Sequence, residues 1–249
     1  MHRAATIGTL GGVKAACCIL ILLALSTTTA CSAPAVSMQE GPREYVATDY
    51  DDVLGRWTRT EDLILFSELA RALTVTATFE AWEFRWAYVI RYANDYRLTV
   101  AQRQRLLEQS LDETRKSHHF FVALYGGKYR QNDLTKPDGA WIVRLIDSTG
   151  NETAPEEISS IKKPSVLERR YYPYNTVWRR AFRVTFPVRG RRGRPTIAPG
   201  AEWVGLRFAG AKGNTDLIWE LEPQGESTST GLGGDRAAPR RASRSPARW

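Results

Sequence analysis

The side chains in this sequence that could carry chemistry are few, and most are badly spaced for it. No Gly-x-Ser-x-Gly elbow occurs, and beyond residue 31 the only histidines are His118 and His119. Neighbours on a strand project to opposite faces, so these imidazoles cannot share one metal ion or one substrate. His-Glu-x-x-His and Cys-x-x-Cys zinc patterns are absent. Gly126-Gly127-Lys128 lacks the remainder of a phosphate loop, and a tight turn accounts for it. Glu80, Glu83, Asp147 and Glu152 are available for carboxylate chemistry on a glycan, but such pairs meet only in the folded chain. The expectation is a protein without catalytic residues, metal or cofactor.

Two groups suit binding instead. Tyr171, Tyr172 and Tyr174, with Trp178 close by, would form a stacking platform for a glycan. The same rings, turned inward, would fill the core or its corner. Arg189, Arg191, Arg192 and Arg194 stand within one short stretch and would contact anionic lipid headgroups by plain electrostatics.

The net charge of +8 is unevenly spread. Residues 1–30 contribute +2 and residues 223–249 contribute +3, which leaves +3 on 31–222. The four arginines of the short stretch exceed that remainder. A body so nearly neutral lacks the broad basic face that counterion release from nucleic acid requires, so no nucleic-acid partner is expected.

Arg3 and Lys14 precede an apolar run from Cys17 to Leu25, which closes on small residues. That is the layout of an export signal, and the run is too short for the about 20 apolar residues of a membrane span. The three cysteines, Cys17, Cys18 and Cys31, all lie in or at the end of this segment. The body therefore has no thiol to pair and must stand on its core.

Thr29-Ala30-Cys31 resembles the end of a bacterial lipoprotein signal, although Thr28 departs from the usual leucine. An ordinary secretory cut near Ala30 or Ala33 is the alternative. The resemblance implies removal of residues 1–30, diacylation of Cys31 and attachment to a membrane through that lipid. Ser32, where aspartate would signal inner-membrane retention, points to the outer membrane with the domain facing the periplasm.

These groups must be positioned by the rest of the chain. Residues 31–56 are polar with scattered glycine and proline and read as a flexible tether. Asp62–Leu73 fits either a helical face or an edge strand, whereas Leu73–Phe79 alternates apolar residues with Thr74, Thr76 and Thr78 as a strand does. Trp82, Trp86, Val89, Ala93 and Tyr96 then recur at helical spacing. Thr99 with Gln102 reads as a capping box that opens a second helix, so 82–116 is a helical hairpin. Strand patterns follow at His119–Tyr125, at Ala140–Ile146, at the strand marked by Trp178, Phe182, Val184 and Phe186, at Trp203–Phe208 and at Leu217–Leu221. The predicted fold over 57–222 is mainly β, an antiparallel β-sandwich (immunoglobulin-like) with an inserted α-helical hairpin. Residues 223–249 have the composition of a disordered basic tail.

Thr74-Val75-Thr76-Ala77-Thr78, Glu83-Phe84-Arg85 and Phe182-Arg183-Val184-Thr185-Phe186 resemble a group of predicted lipoproteins from Gram-negative bacteria. That resemblance implies an envelope location, and no particular activity follows from it. The expected function is a non-enzymatic interaction or assembly module that meets an envelope protein through the hairpin. The alternative is a glycan- or peptidoglycan-binding module that uses the tyrosine cluster.

Overall fold

The strongest sequence pattern, alternation followed by a switch to helical spacing, forms the centre of the computed structural model, which describes residues 33–65, 70–126, 132–190 and 192–223. Strand β1 (Thr58–Leu65) pairs with β2 (Ala70–Phe79), so the ambiguous segment after Asp62 is a strand. Helices α2 (Trp82–Asp95) and α3 (Val100–Lys116) follow, and β3 (Ser117–Tyr125) returns beside β2. The hairpin is thus inserted between two adjacent strands. Its second helix opens as expected, with Thr99 accepting from the Gln102 amide at 3.3 Å and Gln102 reaching back to the Thr99 amide at 2.9 Å.

The remaining strands are β4 (Ile142–Asp147), β5 (Glu152–Thr153), β6 (Glu157–Ile161), β7 (Arg180–Pro187), β8 (Trp203–Gly210) and β9 (Gly213–Glu220). They form two antiparallel sheets, ordered β1-β2-β3-β7-β6 and β5-β4-β8-β9. The protein is therefore mainly β, an antiparallel sandwich with the predicted helical insertion.

One face of the five-stranded sheet carries Leu73, Val75, Phe79, Phe120 and Phe186 into the space between the sheets, where Trp219 of β9 meets Phe79 at 6.1 Å and Phe120 at 5.7 Å. The opposite face carries the threonines. Thr58 bonds Thr78 at 2.7 Å and Thr60 bonds Thr76 at 2.9 Å, as cross-strand pairs should. This face is buried too, beneath the helices and the chain around Tyr172 and Tyr174. The molecule has three layers rather than two.

Two segments depart from the sequence reading. The expected tether belongs to the domain. Val36 is buried and pairs with Leu221, while its amide and carbonyl bond Glu220 and Glu222 at 2.8 and 2.9 Å. Residues Tyr50–Trp57 form helix α1, which turns Tyr50, Val53, Leu54 and Trp57 inward at helical spacing. Asp51 and Asp52 stand in the first turn of α1, where the helix dipole favours negative charge. The second departure is helix α4 (Val166–Tyr171), opened by a capping box of Ser165 and Glu168. Cys31, the signal segment, Gly127, Lys128, Arg191 and the tail from residue 224 lie outside the described residues.

Arg59 closes the sandwich along the seam between β1 and β9. Its guanidinium bonds the Ile218 carbonyl at 2.9 Å and Arg56 and Thr58 carbonyls of its own segment, while lying 5.9 Å from the Trp219 ring. Trp219 donates to the Trp57 carbonyl at 2.9 Å, and the Trp57 ring meets Phe79 edge-on at 5.6 Å. Trp57 is fully buried and joins α1 to both sheets. Trp57→Ala should lower unfolding stability by about 3–5 kcal/mol in urea titrations; an unchanged midpoint would show that α1 is not part of the core.

Candidate functional site

The β2–α2 junction places two carboxylates where the chain turns from sheet to helix. Glu80 is buried and forms an ion pair with Arg85 at 2.7 Å, with Arg183 of β7 3.9 Å away. Tyr172 also donates its hydroxyl to Glu80. Burial alone would raise the Glu80 pKa, but Arg85, Arg183 and the Tyr172 hydroxyl outweigh it and hold the carboxyl below its ordinary range. Glu83, one turn on, accepts from Arg56 at 2.6 Å, from Trp57 Nε1 at 2.7 Å and from the Tyr45 hydroxyl. Its pKa is also lowered, burial again being outweighed, here by those three donors. Every strong acceptor on these groups is turned to the fold.

The other carboxylates singled out from the sequence are committed as well. Asp147 closes the turn after β4, accepting from the Thr149 and Asn151 amides at 2.9 and 3.1 Å and from the Ala198 amide at 2.8 Å. Glu152 pairs with Arg207 at 3.2 Å. The four carboxylates are held apart by different partners rather than gathered in one cleft. Among the described residues no group of three or more metal-ligating side chains is gathered either.

The tyrosine cluster is not a platform. Tyr171 and Tyr172 are 2 % and 3 % exposed, and Tyr174 is half-buried. Tyr172 lies flat on Phe121, with centroids 3.9 Å apart and planes at 4°. Tyr171 donates to Asp95 at 2.9 Å, and Tyr174 shares a 2.6 Å bond with Thr78. Their ring faces are covered by the protein, which removes the surface a sugar would stack on. Trp178 is 75 % exposed and stands apart from them on the outside. The rings turn inward because Thr78, Glu80 and Phe121 offer them hydroxyl partners and an apolar face, a fact no local spacing reveals.

Of the arginine stretch, Arg189, Arg192 and Arg194 are exposed on a tight loop closed by the Gly190 amide on the Arg194 carbonyl at 2.8 Å. Gly193, at φ +70°, makes that turn possible. The adjoining cleft also holds Glu152 and Glu156, so the basic loop faces acid as well as solvent.

His118 and His119 do point to opposite faces. His119 lies 3.4 Å from Thr185 on the helical side, and the His118 ring packs edge-on to Phe79 at 5.9 Å. His118 also lies between two small hollows of about 170 and 270 Å³ beneath the 37–40 segment.

The surface that sequence reasoning missed is the tip of the hairpin. A cleft of about 490 Å³ opens between the 45–47 segment and the turn from α2 to α3. Its floor is Ile90, Ala93 and Leu98, and its rim carries Val46, Arg97 and Arg103. Val46 is 63 % exposed, and Val100, the first residue of α3, is 71 % exposed. The 45–47 wall is held on α2 by Arg91, which bonds the Ala47 carbonyl at 3.1 Å and Asp95 at 3.0 Å. Arg97 has φ +52°, and among the described residues no other non-glycine has positive φ. An arginine pays more for that conformation than a glycine would. Neither Arg97 nor Arg103 has an ion-pair partner among the described residues. Tyr88, Tyr92 and Tyr96, four residues apart, stack along the neighbouring face of α2, with 4.5 Å between the last two rings. That spacing was the one visible hint of an aromatic stripe ending at the tip.

Searches of protein-family models, of curated proteins and of solved structures find no match for this chain.

The site analysis has a pH consequence. Burial, reinforced by His119, pushes the His118 pKa down to about 4. Its unfolded value is about 6.5, so between those values the unfolded chain binds more protons and stability falls as pH falls. His118→Leu should flatten the stability profile from about pH 6.5 to 4. Equal slopes for wild type and variant in denaturant titrations would contradict the burial of a neutral imidazole.

Proposed function

We propose that this chain is a lipid-anchored protein of the bacterial envelope whose β-sandwich presents the helical hairpin to another envelope protein, without catalysing a reaction. The observation that carries the contact is the cleft at the hairpin tip: an apolar floor, the exposed Val46 at its edge and two arginines with no ion-pair partner among the described residues. Such a cleft suits an extended segment with one apolar anchor and an acidic neighbour. The anchor supplies the buried area, and the acid makes charge-assisted hydrogen bonds to the guanidinium groups. The outer side of α3, with Arg103, Arg105, Glu108 and Asp112 exposed, extends the same surface in polar form. The buried tyrosines favour this reading over stacking of a glycan on that cluster. The exposed Arg189, Arg192 and Arg194 would add electrostatic attraction to an anionic membrane.

Two measurements follow. Hydrogen bonds to charged groups contribute about 1.5–3 kcal/mol each, so Arg97→Glu with Arg103→Glu should weaken partner binding by about tenfold or more. A photo-crosslinker at Val100 in intact cells should capture one recurring envelope protein, and the double reversal should abolish that capture; capture that ignores the reversal, or that occurs equally from Trp178, would refute the site. Cys31→Ser should move the protein from the membrane pellet to the soluble fraction, and retention in the pellet would refute the lipid anchor.

A further inference from the structure

We propose that β6 pairs antiparallel with the β6 of a second copy of this chain, joining two five-stranded sheets into one. The argument starts from the sheet edges. β1 is closed against β9 by Arg59, and β5 is only two residues long. β6 is a five-residue edge strand, bonded to β7 on one side. On its other side no backbone group of residues 157–161 bonds a described residue. A row of free amides and carbonyls of that length is a template for a further strand.

The sequence around β6 says which strand. Residues 156–163 read Glu-Glu-Ile-Ser-Ser-Ile-Lys-Lys, bounded by Pro155 and Pro164. Acid stands at one end and base at the other, with a small polar centre between. Reversing the direction of a second copy sets glutamates against lysines at both ends, whereas a parallel copy would set like against like. None of the four end charges has an ion-pair partner among the described residues. The prolines limit the pairing to these eight residues, since proline cannot donate to a ladder.

Symmetry narrows the register. Directly opposed residues of an antiparallel pair share a face of the sheet, so a two-fold axis through the new seam must pass beside one residue and its copy. An axis at Ser159 opposes Glu156 to Lys162 of the other copy, and an axis at Ser160 opposes Glu157 to Lys163. Either way two unlike pairs form, and no like charges oppose each other. Because the axis is perpendicular to the sheet, both helical hairpins would lie on the same side of the dimer. The two tip clefts would then be presented together.

The test is sedimentation equilibrium of the full-length chain in density-matched detergent, with charge-swapped variants. Wild type should be a dimer that weakens as salt is raised. Glu156→Lys with Glu157→Lys, and separately Lys162→Glu with Lys163→Glu, should each weaken self-association by at least about tenfold. An equal mixture of the two variants should form a heterodimer, and the fourfold swap should dimerise like wild type. Ser159→Cys or Ser160→Cys should form a disulfide across the axis, and which one does so fixes the register. A wild-type monomer through the micromolar range, a dimer indifferent to the one-sided reversals, or no crosslink from either cysteine would overturn the proposal.

Discussion

The docking of the helical layer rests on two carboxylates three residues apart, the buried Glu80 and the partly buried Glu83. Glu80 directly follows β2 and Glu83 lies in the first turn of α2, so each is tied by the backbone to the point where sheet becomes helix. Glu80 gathers Arg85 from α2, Arg183 from β7 and Tyr172 from the chain beyond α4. Glu83 gathers Arg56 and Trp57 from α1 and Tyr45 from the segment before it. Between them they connect nearly every element on the helical side of the five-stranded sheet. A buried ion pair adds little net stability over an apolar substitute, but removing one partner strands the other charge and costs about 3–5 kcal/mol. The junction therefore specifies an arrangement more than it strengthens one.

That arrangement has a functional corollary. On the reading proposed above, Glu80 and Glu83 fix the start of α2 against the sheet, and the turn at its far end carries Arg97 and lines the cleft together with the 45–47 segment. The start of α2 is held by the hydrogen bonds of Glu83, while the turn after the helix keeps Tyr96 and Arg97 exposed. The open edge at β6 lies at the other side of the same sheet from β1.

Much of the fold was legible because local pattern and final structure agree where periodicity is strong. The threonine alternation of β2, the helical spacing from Trp82 and the Thr99–Gln102 capping box each appear where the sequence places them. The N-terminal segment was not legible for two reasons. Val36 is fixed by a single bridge to Leu221, a contact between distant residues with no local pattern. In α1 the acidic Asp51-Asp52 pair masks an inward stripe of Tyr50, Val53, Leu54 and Trp57. The tyrosines failed as a site for a related reason: exposure is a property of what lies opposite, and the Phe121 face under Tyr172 comes from a strand some fifty residues earlier. A lone carboxylate such as Glu80 carries no signature either, since its partners come from three separate parts of the chain.

The most direct test of the junction's role is amide hydrogen exchange on Glu80→Gln beside wild type. The neutral amide keeps the size of the side chain and removes the charge that Arg85 and Arg183 face. The account predicts that α2, α3 and the chain around Tyr172 lose protection together, while β8, β9 and the Phe79–Phe120–Trp219 layer keep theirs. Uniform loss across both sheets, or unchanged protection in α2, would contradict it.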